Sequence, residues 1–159
     1  MNEAQVLIDN LESAPQMITN LVREVPAENL KRRPSLGKWS AHEHACHIST
    51  GHDVFHARLE MMLSEPDAYI ASMQPSADEE AGSMLDMDLD QALRVYAKDR
   101  ARLVERLKEL SPNDWQRTAT HEAYSRYSVF IMFRDLYLHE MLHAYRIQEL
   151  LLKKEWEAN

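Results

Sequence analysis

Two histidines near the end of the chain, His139 and His143, have the spacing of a metal-binding pair. They lie in a segment, residues 128–152, that lacks Gly and Pro and repeats its apolar residues every three or four positions, which predicts a helix. Side chains four residues apart on a helix share a face, with Cβ atoms about 5–6 Å apart, so both imidazoles can bind one ion. The alternative is a pair of buried, hydrogen-bonded histidines. We favour the metal because both histidines occupy positions of one apolar stripe.

Residues 139–143 read His-Glu-Met-Leu-His and match HExxH, the zincin motif whose glutamate activates a metal-bound water. Two features argue against a protease. Only 16 residues follow His143, and the acidic residues among them lie on or just past the same helix, where none can fold back as a third ligand. Glu140 projects about 100° away from His139, so we expect it to support the site or lie at the surface rather than act as a general base.

A third ligand must therefore come from upstream, where the histidines cluster. Five of the eight histidines lie between His42 and His56, on a segment whose apolar residues again recur at helical spacing. His44 falls well within the apolar face of that helix and His47 lies toward its edge, so helical geometry alone favours His44 as the buried residue. We expect the other three to lie at the surface or rim: His42, His52 and His56.

The composition predicts one globular domain spanning residues 1–159, with 45% hydrophobic and 28% charged residues. The formal net charge of −8 argues against nucleic acid or an anionic membrane as a partner. No apolar run approaches the roughly 18 residues of a membrane span, and the first residues show no signal-peptide pattern. The single cysteine, Cys46, cannot form an intrachain disulfide, so we expect a cytoplasmic protein.

The hydrophobic pattern of the whole chain predicts an all-α protein, a four-helix bundle. We expect the helices at about residues 3–24, 40–63, 88–110 and 128–152. Ser40 and Glu43 form a capping box at the start of the second helix. The connection between the second and third helices exceeds 20 residues, and we expect one short helix in it. That length lets these two helices run parallel, in up-down-down-up order.

Several short motifs follow one another along the chain. They are Arg33-Pro34-x-x-Gly37-Lys38, Trp39-Ser40-x-x-Glu43-x-x-x-His47, Leu110-Ser111-Pro112-x-Asp114-Trp115-x-Arg117, Thr120-His121, and His139-x-x-x-His143 with Gln148. In this order and spacing the chain resembles the DinB-like family of metal-binding bundles, which includes the YfiT-type proteins, over about residues 21–152. Ser125 departs from the pattern, because many relatives have glycine before the arginine that is here Arg126.

The resemblance implies an up-down-down-up bundle that holds nickel or zinc through one histidine of the second helix and two of the last. Carried onto this chain, the ligands are His47, His139 and His143. Glu43 lies one turn before His47 and is expected to accept its other ring N–H or to face the cavity. His121 has at most a supporting role outside the ligand set, and His44 becomes a neutral, hydrogen-bonded core histidine.

Three neutral imidazoles suit zinc, nickel, cobalt or iron, and they leave coordination positions open for a water or a thiolate. Relatives that use low-molecular-weight thiols imply a metal-dependent S-transferase acting on small electrophiles, with Arg100 attracting the carboxylates of the thiol cofactor. Arg100 interrupts the apolar stripe of the third helix. It could also support the metal ligands from inside the cavity, or instead snorkel to the end of the bundle. The alternatives are a metal-dependent hydrolase of small amides or esters, and a non-catalytic metal-binding stress protein.

A second side of the last helix is also apolar. Its residues are Phe130, Phe133, Tyr137, Met141 and Ala144. A helix that is apolar on two sides needs two partners. The second partner is either the connection that precedes the helix, residues 115–126, or another copy of the chain, and we expect a homodimer.

Overall fold

The computed structural model describes residues 3–73, 82–154 and 156. Its helices are α1 (Glu3–Arg23), α2 (Ala27–Leu30), α3 (Ala41–Ile48), α4 (His52–Ser64), α5 (Leu89–Lys108), α6 (Pro112–Trp115) and α7 (Val129–Leu151). Two short strands, β1 (Tyr69–Ile70) and β2 (Thr120–His121), and a 3-10 turn at Ser83–Asp86 complete the elements of these ranges. The predicted connection between the second and third long helices is described except for residues 74–81, which lie outside the described residues.

Helix α1 runs antiparallel to α5. It continues through Pro15, whose effect the sequence alone leaves open. Near the end of α5, Lys108 Nζ donates to Glu12 of α1 at 3.0 Å. At the other end, Arg23 of α1 pairs with Asp90, which lies in the first turn of α5, at 3.6 Å. Contacts that join the end of one helix to the start of the other require opposite directions.

Helices α3 and α4 together run parallel to α5. At the start of α4, the ring of His52 stacks on Tyr96 of α5 with centroids 5.2 Å apart. Further along both helices, Arg106 Nε donates to Glu60 at 2.7 Å. In these contacts the residue numbers of α4 and of α5 increase in the same direction, so the two helices are parallel. The long connection between them therefore returns the chain to the end of the bundle at which α3 begins.

Helix α7 runs antiparallel to α3. The ring of His44 faces His143 with centroids 5.0 Å apart, and that of His47, one turn later, faces His139 at 5.3 Å. The directions of α1, α3–α4, α5 and α7 are therefore up, down, down and up. This confirms the predicted four-helix bundle and its order.

The second long helix is broken, which the sequence analysis did not predict. Its start is as expected: Ser40 Oγ accepts from Glu43 N at 3.2 Å, while Glu43 Oε2 accepts from Ser40 N at 2.9 Å. The helix then stops at Ile48 and resumes at His52. Gly51 between them has φ +78°, a left-handed conformation that glycine adopts without steric cost. The break separates the segment that bears the predicted ligand His47 from the rest of the helix.

A small parallel sheet joins two connections at the end of the bundle where α7 starts. Tyr69 pairs with Thr120, and Ile70 pairs with His121. The sequence pattern predicts no strand, because strands of two residues are too short to show a period-two pattern. The pairing holds the connection before α7 against the one that follows α4.

The second apolar side of α7 is covered within the bundle. Phe133 and Ala144 are buried, while Phe130, Tyr137 and Met141 are half-buried. Trp115 of α6 contacts both phenylalanine rings, with centroids 6.3 Å away. Met141 and Ala144 pack in the core with Ile18 and Val22 of α1. This side of α7 is therefore covered by Trp115 and by the bundle core, and it does not support a homodimer.

A different stripe of α7 is exposed. Its apolar residues are Leu138, Leu142 and Tyr145, each more than half exposed. They lie four and three positions apart and therefore share one face. None of the described helices is long and apolar enough to cross a membrane.

Candidate metal centre

Three histidines converge between α3 and α7. His139 and His143 lie one turn apart on α7, and His47 faces them from α3. One ring nitrogen from each of the three lies within 4.8 Å of the others. The i, i+4 spacing places His139 and His143 on one face of α7, and the antiparallel packing of α3 against that face brings His47 to them. The structure therefore brings together the three residues predicted as metal ligands.

The distances within this histidine cluster suit a metal ion. His143 Nε2 lies 3.1 Å from His139 Nε2. Two nitrogens bound to one zinc ion at about 2.0–2.1 Å and near-tetrahedral angles lie about 3.3 Å apart. The ring of His47 is 4.7 Å from His143 and 5.3 Å from His139 between centroids. The donor set is three imidazoles, which suits a divalent transition metal rather than magnesium or calcium.

Both histidines of α7 favour the neutral form. Burial, strengthened by repulsion from the neighbouring imidazoles, lowers the pKa of His143 to about 2. Desolvation, followed by the effect of His47, also lowers the pKa of His139, although the outer edge of that side chain is exposed. A neutral imidazole offers a lone pair, so at neutral pH neither residue has to lose a charge before it can bind a metal.

His44 lies behind the histidine cluster. Its Nδ1 is 2.8 Å from Nδ1 of His143, the ring nitrogen that faces away from His139. The side chain is half-buried rather than fully in the core. Desolvation, followed by the effect of His47, lowers the pKa of His44 to about 4. The predicted neutral, hydrogen-bonded histidine is present, and its partner is His143.

Trp39 covers one side of the cluster. Its ring stacks on His143 with centroids 5.9 Å apart and an interplanar angle of 22°. The same ring lies 4.9 Å from His47 and 5.5 Å from His44. Trp39 directly precedes the cap of α3, so the capping box that starts this helix also fixes the tryptophan against the histidines.

Glu43 does not take the position that the sequence analysis gives it. Its side chain is fully buried, and both carboxylate oxygens accept hydrogen bonds from Arg33 Nε, at 3.1 and 3.0 Å. A second guanidinium nitrogen of Arg33 and the backbone N–H and hydroxyl of Ser40 complete its partners in the described residues. Although burial opposes it, hydrogen bonding from Arg33 and Ser40 lowers the pKa of Glu43. Glu43 caps α3 and neutralises Arg33 instead of facing the cavity.

The predicted role of Arg100 in binding an anion is wrong, and so is its alternative of snorkelling. Arg100 and Glu140 are each 1% exposed and form a bidentate ion pair in the core, in which Arg100 Nη1 donates to Glu140 Oε2 at 2.9 Å. Arg100 also donates to the carbonyl of Leu11 at 3.3 Å, and its guanidinium lies 5.3 Å from the ring centre of Tyr96. A guanidinium held this way has no access to a cofactor. Glu140, for the same reason, cannot serve as the base of an HExxH motif.

The other histidines lie away from the cluster. His42 and His52, predicted at the surface, are buried, and each places Nε2 3.0 Å from a backbone carbonyl, of Met84 and Ile48 respectively. His56 is half-buried. His42 precedes the break, on α3, and is covered by the 3-10 turn Ser83–Asp86, to which Met84 belongs. His52 and His56 follow the break at residues 49–51, so they do not lie on the faces that one continuous helix would give them.

His121 stands on β2, at the other end of the bundle from Trp39. Its Nδ1 accepts from Ala123 N at 3.0 Å, and its ring packs on Tyr124 and Tyr127 with centroids 4.5 and 4.4 Å away. These contacts order the loop between β2 and α7. They explain His121 as a loop residue, in agreement with its exclusion from the ligand set.

A cleft of about 780 Å³ adjoins the back of the cluster. Trp39 and His44 line it, and so do three cationic residues: Lys38, Arg146 and Lys153. Among the residues that the structure describes, Glu149 is the one acidic side chain of the lining, and it pairs with Arg146 at 2.7 Å. The cleft therefore carries positive charge in a protein with a formal net charge of −8. The sequence analysis missed these residues, because they come from separate segments that only the fold brings together.

Comparison with known proteins agrees with this fold. The chain is similar in structure to YfiT from Bacillus subtilis, described as a probable metal-dependent hydrolase with an unusual four-helix bundle topology. The two share 19% sequence identity, and the match covers 99% of this chain and 91% of YfiT with a TM-score of 0.81. Comparison with curated proteins gives no match. The sequence profile of the DinB superfamily matches residues 10–147, and the chain belongs to that superfamily.

Proposed function

We propose that this protein is a metal-dependent enzyme in which His47, His139 and His143 hold one divalent transition metal, zinc or nickel. The observation that carries the proposal is the meeting of three ring nitrogens within 4.8 Å between two helices. Three protein ligands leave positions open, as in catalytic rather than structural sites. When bound, the metal would supply a Lewis acid that activates a water, a thiol or a substrate carbonyl.

The first candidate reaction is hydrolysis of a small amide or ester. It is supported by the likeness to YfiT, which is described as a probable metal-dependent hydrolase. The structure also limits what the chain itself can contribute. The nearby carboxylates of Glu43 and Glu140 are both buried against arginines, so neither is available to take a proton. Asp135, which lies one turn before His139 on α7, is exposed, and its charge acts on His139.

The second candidate is transfer of a low-molecular-weight thiol to a small electrophile. The sequence analysis favours this reaction, but Arg100 cannot bind the carboxylates of the thiol because Glu140 occupies it. The cationic cleft lined by Lys38, Arg146 and Lys153 is the observation that supports it instead. An anionic thiol held there would contact His44 and Trp39 and would have to extend past them to reach the coordination positions that the three ligands leave open.

The free cysteine of the chain takes no part in either reaction. Cys46 is buried, and burial raises the pKa of its thiol to about 11. A protonated, inaccessible thiol is neither a nucleophile nor a ligand. A buried unpaired cysteine suits a reducing compartment, so we retain a cytoplasmic location in the proposal, with a small molecule rather than nucleic acid or a membrane as the partner.

One panel of assays separates the candidates. Protein loaded with zinc or nickel is mixed with monochlorobimane and several low-molecular-weight thiols, and separately with p-nitrophenyl esters and anilides. Thiol depletion that is lost in the His139→Ala variant supports S-transfer, and release of p-nitrophenol or p-nitroaniline that is lost in the same variant supports hydrolysis. Metal binding without either activity would contradict the proposal of an enzyme and would favour a non-catalytic metal-binding protein.

A further inference from the structure

His143 is held between two other imidazoles. Its Nε2 faces Nε2 of His139 at 3.1 Å, and its Nδ1 faces Nδ1 of His44 at 2.8 Å. Both nitrogens of one ring are therefore engaged, one on the side of His47 and His139 and the other on the opposite side. His44 and His47 lie three residues apart on α3, so the same helix supplies a predicted ligand and a partner behind another ligand.

Counting protons at these contacts assigns their roles. Two nitrogens 2.8 Å apart need one proton between them, because two lone pairs repel and two N–H groups collide. If His143 binds a metal through Nε2, its neutral ring must carry the proton on Nδ1. That N–H then donates to Nδ1 of His44, and His44 carries its own proton on Nε2.

We propose that His44 is a positioning residue that accepts the Nδ1–H of His143 and so fixes the ring orientation and the nitrogen that His143 presents to the metal. The inference rests on the proposed metal site. Metal-binding histidines commonly donate their other N–H to a carboxylate or a backbone carbonyl. Here a neutral imidazole takes that place, while Glu43 and Glu140 are each paired with an arginine.

An imidazole in this position has a consequence for the charge of the site. A carboxylate partner would bring a negative charge close to the ligands and reduce the Lewis acidity of the ion. His44 orients the ligand without adding charge. Trp39, whose ring lies 5.5 Å from His44 and 5.9 Å from His143, packs beside both rings and restricts their rotation.

The test is zinc affinity, measured by competition with a chromophoric chelator. Removing the partner of a metal-bound histidine weakens metal binding by about 10–100-fold, and we expect a loss of that size for His44→Ala. The variant His44→Asn keeps an acceptor oxygen near the position of Nδ1 and should bind zinc within a few-fold of the wild type. His42→Asn is the matched control, because His42 is buried on the same helix but bonds Met84. It should lower the unfolding free energy without changing zinc affinity.

A second readout reports the proton positions directly. Long-range ¹⁵N–¹H spectra of the zinc-bound protein should show His143 protonated on Nδ1 and His44 protonated on Nε2. The proposal is overturned if His44→Ala binds zinc as tightly as the wild type, or if His44 carries its proton on Nδ1. It is also overturned if the zinc X-ray absorption of His44→Ala has one imidazole fewer than that of the wild type, since His44 would then be a ligand. A wild-type protein that binds no zinc would instead contradict the metal site itself.

Discussion

The pairing of acidic side chains with arginines explains, at the scale of residues, which groups around the cluster are free for chemistry. Glu43 is neutralised by Arg33 and Glu140 by Arg100. The histidines face one another and Trp39 instead. The proposed ligand set of the described residues is then three imidazoles, which would bring no negative charge of their own to a bound ion. We propose that an ion held in this way binds an anionic nucleophile or polarises a carbonyl.

The buried ion pair between Arg100 and Glu140 supports the first prediction. Removing one partner of a buried pair leaves an uncompensated charge and costs about 3–5 kcal/mol. Arg100→Met and Glu140→Met should each lower the free energy of urea unfolding by about that much, whereas the double variant should recover most of the loss because no charge remains. Two single losses that simply add in the double variant would show that the pair is not coupled.

Acid sensitivity of the metal-free fold is the second prediction. Burial and the charge of Arg100 lower the pKa of His52 to about 4, against about 6.5 in an unfolded chain. Between pH 4 and pH 6.5 the unfolded state therefore binds more protons than the folded state. The contribution of His52 to the unfolding free energy is fully present above pH 6.5 and decreases as the pH drops toward 4. His44 and His143 act in the same direction.

Urea unfolding of the metal-free protein from pH 7 to pH 4 measures this slope. His52→Gln removes one titrating group, so its unfolding free energy should fall less steeply than that of the wild type, by up to about 1.4 kcal/mol per pH unit. A wild type whose stability rises as the pH falls through this window, or a variant with an unchanged slope, would refute the assignment.

At the scale of elements, the break after α3 separates His52 and His56, on α4, from the three histidines of α3. Gly51 has φ +78° and lets α4 start in a new direction at His52. An added Cβ would meet Met73 Cε at 3.7 Å, which is ordinary contact. The cost of a substitution at this position is therefore backbone strain rather than collision.

The third prediction concerns this glycine. Gly51→Ala should lower the unfolding free energy by about 1–2 kcal/mol, because an alanine pays that much in a left-handed conformation. Gly51→Asn should lose less, since asparagine tolerates that conformation better than other residues. Urea unfolding and zinc affinity are measured together. Equal stability of the alanine variant and the wild type would show that the break does not depend on the positive φ.

The features of the fold and the site that the sequence predicts are those whose residues lie close together along the chain. The capping box at Ser40 and the i, i+4 pair His139 and His143 are local patterns, and the structure has both. Arg100 and Glu140, by contrast, lie 40 positions apart in the sequence, so no local pattern predicts their pairing. The break at Gly51 did have a local signal, which the capping box and the apolar spacing on either side outweighed.

At the scale of the whole molecule, the exposed stripe of α7 supports a prediction about assembly. Leu138, Leu142 and Tyr145 share one face and are 56%, 51% and 60% exposed. We propose that a second copy of the chain covers this stripe in a homodimer. The residues of α7 that first suggested a dimer are buried or half-buried within the bundle. Light scattering at micromolar concentration should give twice the mass of the chain. Leu142→Glu should give the mass of one chain with the helical signal unchanged. A monomeric wild type would contradict the proposal.

The bundle as a whole serves to hold three imidazoles from two helices at one point, and metal content tests this claim most directly. After loading with zinc or nickel and removal of excess metal, elemental analysis should give one ion per wild-type chain. His47→Ala and His139→Ala should lose the ion while keeping their circular-dichroism signal, and His121→Ala, changed in a loop outside the cluster, should keep it. Full occupancy in His47→Ala or His139→Ala would contradict the account. Loss of the ion in His44→Ala with retention in His47→Ala would show that His44 is the third ligand.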